Sequence, residues 1–141
     1  MFGWIAAHSK NKKPKTLGQV GEELAGQEYK RQGFEIIASN FFNRKGLRLG
    51  EVDLVAAGKG KIIFVEVKTR KAVQGRFGSA AEAVDAYKQK KLLKAVKLFL
   101  QQNPKWQSFQ PQIDVCEIIM NALDKQPGSV KIITNAVEDW N

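Results

Sequence analysis

Near the middle of the chain runs Ile62-Ile63-Phe64-Val65-Glu66-Val67-Lys68-Thr69. Its first four residues are apolar at odd and even positions alike. A strand that is apolar on both faces belongs inside a sheet with a layer on each side, so Lys61–Arg70 is predicted as a central strand. The rest of the chain must supply its neighbours and its cover. Just before it, Gly58-Lys59-Gly60 is a tight turn. That pairs the central strand with one at about Leu49–Ala57 in an antiparallel hairpin. An earlier strand, about Phe34–Phe42, is set off by the turn Asn43-Arg44-Lys45-Gly46.

Helical periods flank these strands. Leu17, Val20, Leu24 and Ala25 mark a helix over Leu17–Gln32, with Thr16 as N-cap and Gly33 as its stop. After the loop Lys71–Gly78, Ser79 and Glu82 have capping-box spacing and open a long helix. Val84, Lys88, Leu92, Ala95, Val96 and Phe99 fall on one face of it, and Asn103-Pro104 ends it. Two strands follow, about Gln112–Met120 and Ser129–Ala136, joined around Pro127-Gly128. The order helix, three strands, helix, two strands reads as one α/β domain over residues 16–141, built on a mixed sheet. Residues 1–15 read as a basic, disordered tail carrying Lys10, Lys12, Lys13 and Lys15.

Composition narrows the chemistry. The 141 residues fit one domain and include one cysteine, Cys116, so no internal disulfide can form. The lone His8 rules out a His-rich zinc site, so any metal must be a hard cation held by carboxylates. No stretch of about 18 apolar residues exists to cross a membrane. The start lacks the positive n-region of a secretory signal, and a cytoplasmic location is expected. The net charge is +9, which suggests a polyanionic partner, nucleic acid first and an anionic membrane second. From Lys59 to Lys97 there are eleven Lys/Arg against three acids, Glu66, Glu82 and Asp85.

Within that basic segment two charges sit on the central strand. Alternation puts Glu66 and Lys68 on one face with Ile62 and Phe64. On the neighbouring strand Glu51, Asp53 and Val55 share a face, and the short hairpin brings Asp53 towards Glu66. Two adjacent carboxylates repel unless a positive charge lies between them. A divalent metal suits that place, with Lys68 to neutralise charge on a phosphate or orient water. Glu22 shares a stripe with Ala25 and Tyr29 on the first helix. By itself it reads as a glutamate complementing the helix dipole.

These residues, taken together, resemble the restriction-endonuclease-like (PD-(D/E)xK) nuclease fold, in which an Asp on one strand and Glu-x-Lys on the next form the site. More closely the chain resembles the YraN-type family of uncharacterised bacterial proteins, considered similar to archaeal Holliday junction resolvases. The matching pieces are Gly21-Glu22-Glu23-Leu24-Ala25, Gly50-Glu51-Val52-Asp53-Leu54-Val55, Phe64-Val65-Glu66-Val67-Lys68-Thr69-Arg70, Phe77-Gly78, Glu82-Ala83-Val84, Lys88 and Ile113-Asp114-Val115. The resemblance implies an αβββαβ core with a mixed central sheet flanked by helices. It also implies Asp53, Glu66, Lys68 and Glu22 as catalytic positions, with Asp53, Glu66 and Glu22 around Mg²⁺ or Mn²⁺. Arg70, Arg76 and Lys88 are candidate phosphate contacts. Asp114 is a candidate structural partner for Lys68 or Lys88.

The leading expectation is a metal-dependent endonuclease acting on DNA, with branched or repair intermediates among its substrates. A two-fold substrate would suit a homodimer, although no clear dimer interface is visible. The alternative is a nucleic-acid-binding module of a repair assembly without turnover, because phosphate contacts need only Lys and Arg. A protein-interaction or membrane-surface role for the basic helix ranks last, since it leaves Asp53, Glu66 and Glu22 unexplained.

Overall fold

The computed structural model describes residues 13–42, 51–72, 86–121 and 126–137. Helix α1 (Leu17–Arg31) starts in a full capping box: the Thr16 hydroxyl accepts the Gln19 amide at 3.1 Å, and Gln19 Oε1 accepts the Thr16 amide at 2.9 Å. That satisfies two donors the first turn would otherwise leave open. The helix ends before Gly33, whose φ of 96° is open to glycine and strained for other residues.

Strands β1 (Glu35–Phe42), β2 (Glu51–Gly58) and β3 (Lys61–Lys71) follow, then helix α2 (Ala86–Gln102), a 3-10 turn (Pro104–Trp106), β4 (Gln110–Met120) and β5 (Pro127–Ile133). The sheet order is β1-β2-β3-β4-β5, with β3 and β4 parallel and the other pairs antiparallel. The expected mixed sheet, central third strand and αβββαβ-type order are all present. The β2–β3 loop is Lys59-Gly60, both at positive φ (53° and 74°), the geometry that matches strand twist in a two-residue hairpin.

Each face of β3 is covered. On one, Leu92, Ala95, Val96 and Phe99 of α2 pack with Val52, Val55, Ile62, Phe64, Ile113 and Val115. On the other, Ala25 and Tyr29 of α1 pack with Leu54, Ala56, Ile63, Val65, Cys116 and Ile118. Each large side chain so buried contributes about 1.5–3 kcal/mol of transfer free energy. The helix α1 crosses β3 where Gly21 meets Thr69. A Cβ on Gly21 would lie 2.9 Å from Thr69 Cβ and closer still to its hydroxyl, so the crossing admits only glycine without a shift.

The structure differs from the sequence reading in places. Strand β4 starts two residues earlier than expected because Lys61 and Gln110 extend the parallel ladder. Pro127 and Gly128 lie inside β5, and the connection closes through an Asn121 amide bond to the Gln126 carbonyl at 2.7 Å. Asp114 is not a partner of Lys68 or Lys88. It faces α1, buried to 1% exposure, and accepts from the Tyr29 hydroxyl and the Gln112 amide, each at 2.8 Å, and from the Asn135 amide at 3.1 Å. The expected Asn43–Gly46 turn, the Ser79/Glu82 capping box, Arg76, Phe77-Gly78 and most of the basic tail lie outside the described residues.

Candidate active site at a strand fork

The β2–β3 ladder runs from Gly58–Lys61 to Leu54–Val65 and stops there. Beyond that point β1 still holds β2, as far as Glu51, and β4 still holds β3, as far as Lys71. The two middle strands therefore part at Asp53, and a fork opens between them. Asp53 bridges its mouth: Oδ2 accepts the Val67 backbone amide at 2.8 Å. A side-chain carboxylate thus takes an amide at the point where the ladder ends.

Strand β2 does not alternate strictly around Asp53. Val52 and Val55 both pack on the α2 side, three residues apart, and so do Ala38 and Phe41 on β1. The register pairs Ser39 with Leu54 and Phe41 with Val52, which sets Asn40 across from Asp53. Asn40 has φ 52°, a left-handed conformation that asparagine tolerates better than most residues. Both strands lose their period at this pair, and the Asp53 carboxylate reaches both the Val67 amide in the fork and the α2 side. Irregularities of this kind commonly re-aim a side chain beside a functional site.

Glu66 and Lys68 do share the α2 face, as alternation requires. Lys68 Nζ lies 3.3 Å from Glu66 Oε1, with side-chain exposures of 24% and 16%. Burial alone would lower the Lys68 pKa. The charges of Glu66 and Asp53 outweigh it and hold Lys68 above the ordinary lysine range. It is therefore a fixed cation at neutral pH. Asp53 and Glu66 open onto one small cavity, about 140 Å³, closed by Lys88, Lys91 and Leu92 from α2. The sequence reading missed Lys91; its spacing of three from Lys88 was the available signal.

Glu22 is placed elsewhere. It lines a larger groove of about 640 Å³ between α1 and β1, with Lys15, Lys30, Ser39, Asn40 and Leu54 among its walls. The two cavities reach β2 at consecutive residues, Asp53 and Leu54. Among the described residues no three His, Cys, Asp or Glu side chains gather closely enough to hold a metal. The pair Asp53 and Glu66 is what the fork supplies. Arg70 follows Glu66 and Lys68 in alternation on the α2 side of β3, half-buried. A further acid on that face, Glu117 of β4, is the ladder partner of Lys68 and was not singled out by sequence.

Fold and site define a small mixed α/β domain with an acid–acid–lysine cluster at a strand fork. The chain belongs to the uncharacterised protein family UPF0102, whose family model matches residues 21–118. It is 38% identical over 122 residues to a UPF0102 protein of Caldanaerobacter subterraneus subsp. tengcongensis, covering 86% of this chain and 94% of the relative. It is 36% identical over 124 residues to one from Clostridium botulinum, covering 88% and 95%. A relative from Acinetobacter baumannii is 43% identical over 99 residues, 70% of each chain. No helix among the described residues is long and apolar enough to cross a membrane.

Proposed function

We propose that this protein is a metal-dependent endonuclease of the restriction-endonuclease-like type, hydrolysing phosphodiester bonds in DNA, branched or repair intermediates among its candidate substrates. The observation that carries this reading is the meeting of Asp53 and Glu66 on one cavity, with Lys68 paired to Glu66 and Lys88 and Lys91 on the wall.

The donor set fits Mg²⁺ or Mn²⁺. Both ions prefer hard oxygen ligands, and Mg²⁺ commonly uses only one or two protein carboxylates together with water and substrate phosphate. Asp53 and Glu66 would hold the ion, while Glu22 lines the neighbouring groove. When bound, such an ion polarises a phosphodiester oxygen and acidifies water. The protein's own contributions are distinct. The Val67 amide fixes the orientation of Asp53. Lys68, beside the Glu66 carboxylate, stabilises negative charge developing on the phosphate. Lys88 and Lys91 draw a phosphate to the cavity mouth.

The basic row Lys90, Lys94 and Lys97 is fully on the solvent side of α2, a helix with no acidic residue. It supports nucleic-acid binding under either reading, including the non-catalytic module. The test is a cleavage screen over linear, flapped, nicked and four-way DNA and structured RNA, with Mg²⁺ and Mn²⁺, beside Asp53→Ala. Metal-dependent cutting that the variant lacks supports the nuclease. Salt-sensitive binding with no cutting of any substrate favours the module.

A further inference from the structure

Glu117 has an arrangement that the site, as described, leaves unexplained. It sits on β4, 9% exposed, and its Oε2 is buried with no hydrogen-bond partner among the described residues. Val115 packs on the α2 side and Cys116 and Ile118 on the α1 side, so alternation puts Glu117 on the α2 side, with Glu66 and Lys68. In the parallel ladder Glu117 is the direct partner of Lys68, while Val115 is the partner of Glu66. Its partner on the other side is Lys131 of β5, which is exposed. Glu117 thus lies between two lysines, yet the ion pair that Lys68 makes is with Glu66.

A buried carboxylate oxygen without a donor is costly, and such a group in a native fold calls for an explanation, a catalytic role or a bound ion among them. The neighbouring amine supplies one. Lys68 now occupies an oxygen of Glu66. A divalent cation at Asp53 and Glu66 competes with the ammonium for that carboxylate, because both are positive and close. The displaced amine is part-buried and needs a counter-charge. Ladder partners stand about 4.8 Å apart, well within the sweep of a lysine side chain.

We propose that Glu117 is the second seat of the Lys68 amine: as a divalent cation takes Glu66, Lys68 swings to Glu117 and stays at the site, positioned beside the reacting phosphate. Glu117 is then a positioning residue that makes room for the cation and keeps the lysine from leaving. This rests on the reading of Asp53 and Glu66 as a cation site. No bond is made or broken; one ion pair is exchanged for another.

The experiment is a double-mutant cycle in cation affinity, by calorimetric titration of the full chain with Mn²⁺. Glu117→Gln keeps the shape and removes the charge. It is expected to weaken Mn²⁺ binding about tenfold, the scale seen when groups supporting metal ligands are lost. In a Lys68→Ala background the same substitution is expected to change binding less than twofold, and Lys131→Gln to leave it unchanged. Wild-type affinity in Glu117→Gln, or a weakening that persists with Lys68 removed, would overturn the proposal while leaving the cation site standing. No Mn²⁺ uptake by the wild type would remove the site reading and this inference together. A second measurement needs no change at Glu117. On Mg²⁺ addition the Glu117 carboxyl carbon resonance should shift in the wild type and stay still in Lys68→Ala. A resonance that stays still in the wild type, or moves equally in both, contradicts the exchange.

Discussion

The Asp53 carboxylate accepts the backbone amide of Val67 at 2.8 Å, across the point where β2 and β3 separate. One side chain therefore has two tasks, closing the fork structurally and supplying charge to the cavity. The tasks can be separated. Asp53→Asn keeps an acceptor for Val67 and loses the charge, whereas Asp53→Ala loses both. Denaturant unfolding should place Asp53→Asn within about 0.5 kcal/mol of wild type. Asp53→Ala should lose about 1–2 kcal/mol, the usual cost of a part-buried amide left without a partner. Both should lack metal-dependent activity. Equal stability of the two variants would show that the bond to Val67 has no structural weight.

Asn40 lies across from Asp53 on the neighbouring strand. Its φ of 52° costs an ordinary L-residue about 1–2 kcal/mol. Asn40→Ala is expected to destabilise by roughly that amount and to reduce activity along with stability. Asn40→Gly should retain the backbone geometry and the activity. Thermal melts and cleavage rates on the two variants test this. An alanine variant as stable and active as wild type would mean the irregularity does not depend on the residue.

Stability should fall on the alkaline side. Burial, with the charges of Glu28 and Asp114, pushes the Cys116 thiol up to about 12. Burial, with Asp114 as the hydroxyl's acceptor, raises Tyr29 well beyond the ordinary tyrosine range. Unfolded, these groups ionise near about 8.5 and 10. Above those values the unfolded chain gives up protons that the folded chain keeps, so folding weakens as pH rises through the window up to the folded values. Each group contributes a slope approaching roughly 1.4 kcal/mol per pH unit. Urea midpoints should drop steadily above about pH 9, with Cys116→Ala removing the earlier part of the fall and Tyr29→Phe the later. A flat wild-type profile would contradict the burial of both groups. The same thiol should be inert to Ellman's reagent until the protein unfolds.

The lysine row of α2 makes a prediction that can be read without cleavage. If Lys90, Lys94 and Lys97 meet successive phosphates, changing all three to Gln should weaken duplex binding. It should also reduce the slope of log affinity against log salt by roughly 0.9 per contact. Fluorescence anisotropy at several salt concentrations measures both. An unchanged slope would leave the row as a solvated face.

Much of this architecture is legible in the sequence, because it rests on short-range signals. The apolar run Ile62–Val65 places β3 in the centre, Lys59-Gly60 makes the hairpin, and Gly33 stops α1. The shared face of Glu66 and Lys68 follows from alternation alone. What escapes is decided by tertiary contact. Asn40 looks like an ordinary strand asparagine until it is set across from Asp53. Thr69 has no visible role until Gly21 of α1 is laid against it. Glu117 carries no local signal, and only the parallel ladder puts it beside Lys68. Asp114, by sequence a candidate structural partner for Lys68 or Lys88, is buried on the α1 side instead. Two of its donors, Tyr29 and Asn135, lie 85 and 21 residues away, beyond any local pattern.

The central claim, that Asp53, Glu66 and Lys68 form a hydrolytic metal site, is tested most directly on a labelled four-way DNA junction. The full chain is incubated with Mg²⁺ or Mn²⁺, and cleavage and binding are measured for wild type, Asp53→Asn and Lys68→Ala. The account predicts metal-dependent cutting by the wild type, loss of cutting by at least about a hundredfold in both variants, and junction binding retained in both. Cutting that survives the two substitutions would contradict it.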